Sequence, residues 1–171
     1  STCLPDVAAQ ADQLPFDICQ SGEVCVPCHD PFSGTPTGAC TVSCDSGPKN
    51  GVQKFAACCA SKGGGICLPT DQVGSAAQDL DSQECQALGQ SGSVCVPTVI
   101  FEAKQNGSQF VPESCSTSVV LQIAGASSEG ACMPRCIPEV DDAFGLENGS
   151  CPSGFDCVPC IDPFGSDTGA C

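Results

Sequence analysis

Cysteine is the residue that most constrains how this chain can fold, because it occurs 18 times in 171 residues. A cysteine content above roughly 8–10% is typical of a scaffold that is held together by disulfides. The number is even, so all of the thiols can pair, and structural disulfides persist mainly outside the cytosol. We therefore expect an exported protein, either secreted or located on the cell surface. The cysteines predicted to form disulfides are Cys3, Cys19, Cys25, Cys28, Cys40, Cys44, Cys58, Cys59, Cys67, Cys85, Cys95, Cys115, Cys132, Cys136, Cys151, Cys157, Cys160 and Cys171.

Charge and hydropathy narrow the class of protein further. The net charge is −15, and a nucleic-acid partner is excluded because such binding rests on neutralising phosphates with Lys and Arg. The acidic residues are scattered, which indicates a solvated surface. No apolar run approaches the roughly 20 residues of a membrane span, and the sequence shows neither a signal peptide nor an initiating Met. We expect an already processed, acidic protein without a membrane span.

An internal repeat sets the unit of folding. The runs Cys-Val-Pro-Cys, Asp-Pro-Phe and Thr-Gly-Ala-Cys follow one another in residues 19–40 and again in residues 151–171. We interpret the chain as three disulfide modules joined by one cysteine-containing linker. The modules are residues 3–40, 67–132 and 133–171, and the linker is residues 41–66.

The middle module departs from the other two. Thr98 stands where the fourth cysteine is expected, and an insertion at about residues 99–130 brings Cys115. One cysteine is lost and one is gained. We infer that Cys115 takes over the bridge that Cys28 and Cys160 make in their own modules.

The insertion carries the clearest strand signal in the chain. Apolar and β-branched runs at residues 98–104 and 108–111 flank Asn106-Gly107, and an Asn-Gly pair between such runs predicts a hairpin. Residues 118–124 are a third candidate strand. The predicted fold is therefore small disulfide-rich modules in tandem, mostly loops with short β-strands and a few short helices, with an inserted three-stranded β patch in the middle module.

Two adjacent cysteines lie in the linker, where residues 51–61 are predicted to form a short helix. Cα atoms in ordinary disulfides are about 5.5–6 Å apart, so we expect Cys58 and Cys59 to bond different partners and to hold this helix in two directions. Each module has an odd number of cysteines, so each is expected to send at least one bridge outside itself. The connectivity within a module stays open.

Several runs in the chain resemble a known group of proteins. They are Cys-Val-Pro-Cys, Asp-Pro-Phe, Thr-Gly-Ala-Cys, the run Lys-Phe-Ala-Ala-Cys-Cys at residues 54–59, and Cys-Leu-Pro at residues 67–69. In these runs the sequence is similar to the cysteine-rich secreted repeat proteins of myxobacteria and related bacteria. The resemblance implies an exported, disulfide-stapled protein of the bacterial cell surface and adds no active-site residues.

One run matches a cofactor motif. Cys25, Cys28 and His29 form the Cys-x-x-Cys-His pattern of c-type haem attachment. The third module carries Ile161 in place of the histidine, and Met133 is the only usual sixth ligand. We interpret the haem motif as incidental and expect no cofactor.

The candidate redox, metal and catalytic residues are better explained by structural roles. Neither Cys-x-x-Cys pair lies beside the βαβ pattern of a thioredoxin-like site, and zinc thiolate sets are not expected in an exported chain. The carboxylates lack calcium-loop spacing and the single histidine offers no triad, so we expect no metal and no enzyme. The residues concerned are Glu139, Asp141, Asp142, Asp162 and Asp167 for calcium, Cys40, Cys44, Cys132 and Cys136 for zinc, and Asn106 and Asn148 as sequons that we interpret as turns.

Repeats, redundant cross-links and the absence of catalytic groups favour an extracellular structural protein, a repeat subunit that polymerises into a cell-surface filament or sheath. The inserted patch is the candidate self-association surface, unless it folds back over its own modules. Its candidate residues are Val99, Phe101, Phe110, Val119 and Leu121. The alternative is a secreted binding module, a protease inhibitor or adhesin, that presents loops 31–38 and 163–169 on a rigid scaffold.

Overall fold

The computed structural model describes residues 25–41, 52 and 54–171, and the chain divides into two units, Ser1–Phe55 and Ala56–Cys171. The predictions for Cys3, Cys19 and Cys44 lie outside the described residues. The division of the chain into three modules and a linker stays a prediction.

A closed loop is the main described feature of the first unit. A disulfide joins Cys28 to Cys40, with their Cα atoms 5.1 Å apart, and between them His29 and Pro36 form an isolated antiparallel bridge. The Thr37 hydroxyl donates a hydrogen bond to the Pro27 carbonyl at 2.6 Å. The loop is therefore fixed at its base by a disulfide and by a side-chain hydrogen bond.

The second unit contains two antiparallel three-stranded sheets. The first consists, in spatial order, of β1 (Ala57–Cys58), β2 (Gly65–Pro69) and β3 (Ser93–Pro97). Both β2 and β3 end in proline, which has no N–H to continue a ladder, and each leads directly into a helix. Between β2 and β3 lie α1 (Thr70–Val73), a 3-10 helix (Gly74–Asp79) and α2 (Gln83–Ala87), and β3 is followed by α3 (Thr98–Gln105).

The second sheet also has three antiparallel strands in sequence order, and its central strand is the longest of the three. It consists of β4 (Ser114–Ser116), β5 (Glu129–Pro134) and β6 (Phe155–Pro159). The helix α4 (Val119–Ile123) precedes β5, and α5 (Pro138–Asp141) follows it. Among the described residues, no helix is long and apolar enough to cross a membrane.

Sulfur atoms occupy the centre of both sheets. The buried cluster of the first sheet consists of Cys58, Cys59, Cys67, Cys85, Cys95 and Cys136, and that of the second of Cys115, Cys132, Cys151 and Cys157. The chain has eight Phe and neither Trp nor Tyr, so large aromatic side chains contribute little to these centres. The prediction of a disulfide-rich protein with short strands and a few short helices is confirmed.

The predicted hairpin in the insertion is wrong, because its first strand is the helix α3. Ile100, Phe101 and Lys104 recur at helical spacing and line one groove, so the apolar residues lie on one face of a helix. Gly107, with φ of 68°, follows the end of α3. The Asn-Gly pair therefore ends a helix, a role for which glycine is equally suited.

Two further predictions of secondary structure are corrected. The third candidate strand contains α4, whose N-cap residue is Ser118, and the Ser118 hydroxyl accepts a hydrogen bond from the Leu121 N–H. The short helix predicted at residues 51–61 is absent from the described part of that range, where Ala57–Cys58 form β1. There Cys58 pairs with Gly65 across an antiparallel ladder, which overrides the weak local preference for helix.

Candidate functional site

Each sheet is crossed by a disulfide that joins its two outer strands. In the first sheet Cys58 of β1 bonds to Cys95 of β3, with 6.1 Å between their Cα atoms. In the second sheet Cys115 of β4 bonds to Cys157 of β6, with 5.9 Å between their Cα atoms. Because the central strand lies between the bonded residues, each disulfide passes over that strand.

A glycine in the central strand makes each crossing possible. A β-carbon on Gly65 would lie 2.7 Å from the Sγ of Cys95. A β-carbon on Gly130 would lie 3.0 Å from the Sγ of Cys157 and 2.5 Å from the Val158 carbonyl oxygen. Protein interiors are closely packed, so a larger residue at either glycine position would displace the sulfur or the backbone.

A second disulfide in each sheet fixes the central strand to the segment before the last strand. In the two sheets these bridges have Cα separations of 5.6 Å and 5.4 Å. The bridges are Cys67–Cys85 and Cys132–Cys151. The two sheets thus have their disulfides at matching strand positions.

The predicted role of Cys115 is wrong. Cys115 bonds to Cys157 and not to Cys132, which lies in β5 and bonds to Cys151. The run Gly-Ala-Cys at residues 130–132 therefore corresponds to Gly-Ile-Cys at residues 65–67 of the central strand in the first sheet. Gly130 is required by the crossing disulfide. Residues 130–132 resemble the run Thr-Gly-Ala-Cys that ends residues 19–40 and 151–171, but they have a different position in the fold.

The two sheets are joined by a disulfide. Cys59 bonds to Cys136, with a Cα separation of 5.6 Å, so Cys58 and Cys59 have different partners as predicted from their adjacency. The Sγ atoms of Cys95 and Cys136 are 3.3 Å apart, which places the crossing bridge and the joining bridge in contact. Cys59 has φ of 60°, a left-handed conformation unusual for a residue other than glycine.

An ion-pair cluster lies beside the joining disulfide. The Asp141 carboxylate accepts hydrogen bonds from Lys62 Nζ at 2.7 Å and from Arg135 Nη2 at 2.9 Å. The hydrogen bond from Lys62, and next the one from Arg135, lower the pKa of Asp141 below its ordinary value. Arg135 Nε is buried and has no hydrogen-bond partner among the residues that the structure describes, and a carboxylate oxygen of Asp156 lies 3.5 Å from it.

The loops that follow the two Cys-Val-Pro-Cys runs have similar internal contacts. The Oδ1 atom of Asp30 accepts hydrogen bonds from the N–H groups of Phe32 and Ser33, and that of Asp162 accepts them from Phe164 and Ser166. In each loop a threonine hydroxyl donates to a proline carbonyl at 2.6 Å. The backbone hydrogen bonds, that from Ser33 first, lower the pKa of Asp30. We call residues 30–34 loop A and residues 162–166 loop B.

The phenylalanines of the two loops differ in their surroundings. In loop A the ring of Phe32 packs on Phe55, with centroids 5.2 Å apart, and the Phe55 N–H donates to the Pro31 carbonyl at 2.9 Å. Phe32 is 41% exposed, whereas Phe164 in loop B is 93% exposed. The same loop thus presents a partly covered ring in one copy and an almost fully exposed ring in the other.

Phe164 borders an apolar groove of about 830 Å³ in the second unit. The walls come from α4, the segment after α5, and loop B, and they include Val120, Leu121 and Phe144, the last of which is 99% exposed. Glu139 and Asp162 are the charged residues that line it. We call this feature the loop B groove.

A second apolar groove, of about 490 Å³, lies beside the first sheet. Leu68 and Val96 of the sheet and Ile100 and Phe101 of α3 line it, with Lys104 at its margin. The apolar face of α3 is therefore directed towards its own sheet.

The residues predicted for self-association do not form one surface. Phe101 lines the groove beside the first sheet, and Leu121 is buried in the wall of the loop B groove. Val119 is exposed, whereas Val99 and Phe110 are half-buried. Phe164 lies in loop 163–169, one of the two loops that the alternative function predicts to be presented, whereas Phe144 was not singled out from the sequence.

The disulfides also decide what the other candidate residues can do. Cys28, Cys40, Cys132, Cys136, Cys157 and Cys160 are each bonded to another cysteine, so their sulfurs are not thiolates and offer neither thioether links nor strong metal ligands. Asp141 is engaged with Lys62, and Asp162 with the N–H groups of its own loop. The participation of Cys25 in a disulfide stays a prediction.

The two sequon asparagines occupy structured positions. The Asn148 side chain donates to the carbonyls of Pro152 and Phe155, at 2.9 Å and 2.8 Å. Asn106 caps the carboxyl end of α3. Both asparagines thus take part in the local fold.

Comparison with known protein families, curated proteins and solved structures finds no match to this chain. The fold itself defines a class: a small protein built on two antiparallel sheets and stabilised by many disulfides. Such a density of disulfides fits an extracellular protein.

Proposed function

We propose that the protein is an extracellular, non-enzymatic structural protein that associates with copies of itself, as the subunit of a cell-surface filament or sheath. The observation that carries the proposal is the loop B groove, where Phe144 and Phe164 are almost fully exposed. Contiguous apolar surface of this kind is typical of an interaction site. The resemblance to cell-surface repeat proteins of myxobacteria stays a prediction.

The cross-links support a structural role. Seven disulfides join described residues, and they span sequence separations from 11 to 77 residues. Each typically stabilises a fold by about 2–4 kcal/mol, although the contributions do not add simply. A scaffold that is cross-linked in this way has a rigid surface, and it remains stable outside the cell, as a filament subunit must.

The direction of assembly is inferred from the position of the exposed apolar surface in the loop B groove. Loop B and its groove belong to the second unit, and loop A of the first unit already has a covering. A contact between two different surfaces is heterologous, and it generates a filament when the rotation does not close. We therefore propose head-to-tail assembly in preference to a symmetric pair.

One observation favours a second candidate function. The exposed Phe164 stands on a loop held by a disulfide, Cys160–Cys171, and by the Thr168 hydrogen bond to Pro159. Rigid loops with an exposed aromatic side chain are suited to binding another protein. A secreted adhesin or protease inhibitor would use loop B in this way.

Electron microscopy of native material from the surface of the producing cell, together with mass spectrometry without reduction, tests the proposal. Regular filaments that contain this chain, with its cysteines oxidised, are the expected result. Monodisperse particles at every concentration would contradict self-assembly and would favour the loop-presenting binding protein. Inhibition assays against a protease panel would then separate the inhibitor from the adhesin.

A further inference from the structure

Loop A shows which kind of segment covers an Asp-Pro-Phe loop. Phe55 stacks on Phe32 with ring planes inclined at 55°, a geometry that aromatic pairs favour. The Lys54 side chain crosses the loop so closely that a β-carbon on Gly34 would overlap its Cε atom. A Lys-Phe pair thus lies over loop A, with the ring on Phe32 and the aliphatic stem on Gly34.

Loop B has the same framework and an open surface. A β-carbon on Gly165 would meet no heavy atom of the described residues within 4 Å, in contrast to the crowding at Gly34. Phe164 is the exposed counterpart of Phe32. The two features that Lys54 and Phe55 cover in loop A are therefore both uncovered in loop B.

The charge of the loop B groove fits the same occupant. Glu139 and Asp162 line the groove, and the other described residues that line it are uncharged. A segment that brings one lysine and one aromatic ring supplies both the opposite charge and the apolar surface.

The geometry points to a specific contact between copies: we propose that loop B binds the Lys54-Phe55 segment of a second copy of this chain. The inference rests on the proposed self-association and names its surface. In the exchange, the segment leaves its own loop A and covers loop B of a neighbour, so that one Phe–Phe contact is replaced by another. The contact is heterologous, because the segment and loop B are different surfaces, and its repetition builds an open head-to-tail chain when the rotation does not close.

One feature of loop A is not reproduced in loop B. The Pro31 carbonyl accepts the Phe55 N–H, whereas a β-carbon on Gly125 would lie 3.1 Å from the Pro163 carbonyl oxygen. The corresponding carbonyl in loop B is thus approached by the chain's own backbone. Recognition there rests on the ring of Phe164 and on the acidic margin, and both can be tested by substitution.

The decisive experiment uses two complementary variants of the full chain in sedimentation velocity. Phe164→Ser removes the ring of loop B and keeps the segment, and Phe55→Ser removes the ring of the segment and keeps loop B. Each variant alone is expected to remain monomeric where the unaltered chain assembles, and a mixture of the two is expected to form a 1:1 dimer. Val111→Ser, at a position 80% exposed and outside the loop B groove, is the matched control and should assemble normally.

A synthetic peptide of residues 52–57 gives a second measurement that does not depend on how Phe55→Ser folds. The peptide is expected to bind the unaltered chain, at concentrations where that chain is monomeric, and to lose at least about tenfold in affinity for the Phe164→Ser chain. Assembly of Phe164→Ser to the same extent as the unaltered chain would overturn the inference and leave self-association standing. An unaltered chain that stays monomeric at all concentrations would overturn the proposed function, and binding of the peptide in that case would identify loop B as a site for a different partner.

Discussion

Gly65 lies directly beneath the sulfur of Cys95, so that a β-carbon on Gly65 would come within 2.7 Å of that Sγ atom. The close approach arises because the Cys58–Cys95 disulfide crosses β2 at this point. Gly130 has the same position beneath the Cys115–Cys157 disulfide in the second sheet. In both sheets the identity of one small residue decides whether the outer strands can be cross-linked.

Alanine at either glycine is therefore expected to be destabilising. Gly65→Ala and Gly130→Ala should each lower the free energy of unfolding by about 1–3 kcal/mol, the usual cost of overpacking a tight interior. Guanidinium unfolding of the oxidised protein measures the change. Ser114→Ala, at an exposed position of β4, is the control and should shift the midpoint little. Equal stability of all three variants would show that the disulfides do not cross the central strands.

Removal of the disulfide between the sheets should cost more than removal of the loop B disulfide. Cys59–Cys136 has a sequence separation of 77 residues and Cys160–Cys171 one of 11. Chain entropy alone gives roughly 4–5 kcal/mol for the first and roughly 3 kcal/mol for the second, and the other bridges reduce both values. Paired Cys→Ala variants compared by guanidinium unfolding test the order. The reverse order would mean that the sheets are joined mainly by other contacts.

The Asp141 ion pairs predict a dependence of stability on pH. Because the folded-state pKa of Asp141 is lowered, its contribution is present above the pKa of the unfolded chain and is lost as the pH falls through the folded value. Asp141→Asn should cost about 0.5–1 kcal/mol near pH 7, since Lys62 and Arg135 are partly exposed, and almost nothing near pH 2. Unfolding midpoints at both pH values test this, with the exposed Asp142→Asn as control. A cost that persists at pH 2 would contradict the electrostatic origin.

The helical state of α3 can be tested by the sign of one substitution. Glu102 is exposed, and threonine there has a lower helix propensity and a higher strand propensity than glutamate. Glu102→Thr should therefore lower stability by roughly 0.5 kcal/mol. A gain in stability would support the hairpin that the sequence pattern predicts. Backbone chemical shifts of Thr98–Gln105 give the same answer independently.

The sequence patterns predicted a disulfide-rich fold, but they did not predict the order of its strands. The spacing of cysteines does not reveal which bridge crosses a strand, and only the contact between Gly130 and Cys157 distinguishes residues 130–132 from a closing run. The Asn-Gly pair after α3 was ambiguous in itself, since its glycine suits a hairpin and a helix end equally. In the structure residues 98–105 form the helix α3, and Phe101 lines the groove beside the first sheet.

The residues predicted for self-association do not share one surface, for a related reason. Leu121 belongs to an apolar run, but the helix α4 buries it and leaves Val119 and Val120 exposed. The exposure of Phe164 cannot be predicted from its run, because Phe32 in the same run is partly covered by Phe55, a residue distant in sequence. The surroundings of a repeated motif depend on long-range contacts that the motif does not encode.

Peptide mapping of the unreduced protein by mass spectrometry tests most directly whether crossed disulfides hold the two sheets. The structure predicts that Cys58–Cys95 and Cys115–Cys157 are recovered as the crossing bridges, with Cys59–Cys136 joining the sheets. Recovery of Cys115 bonded to Cys132 would contradict the arrangement, because Cys157 would then lack the partner that spans β5.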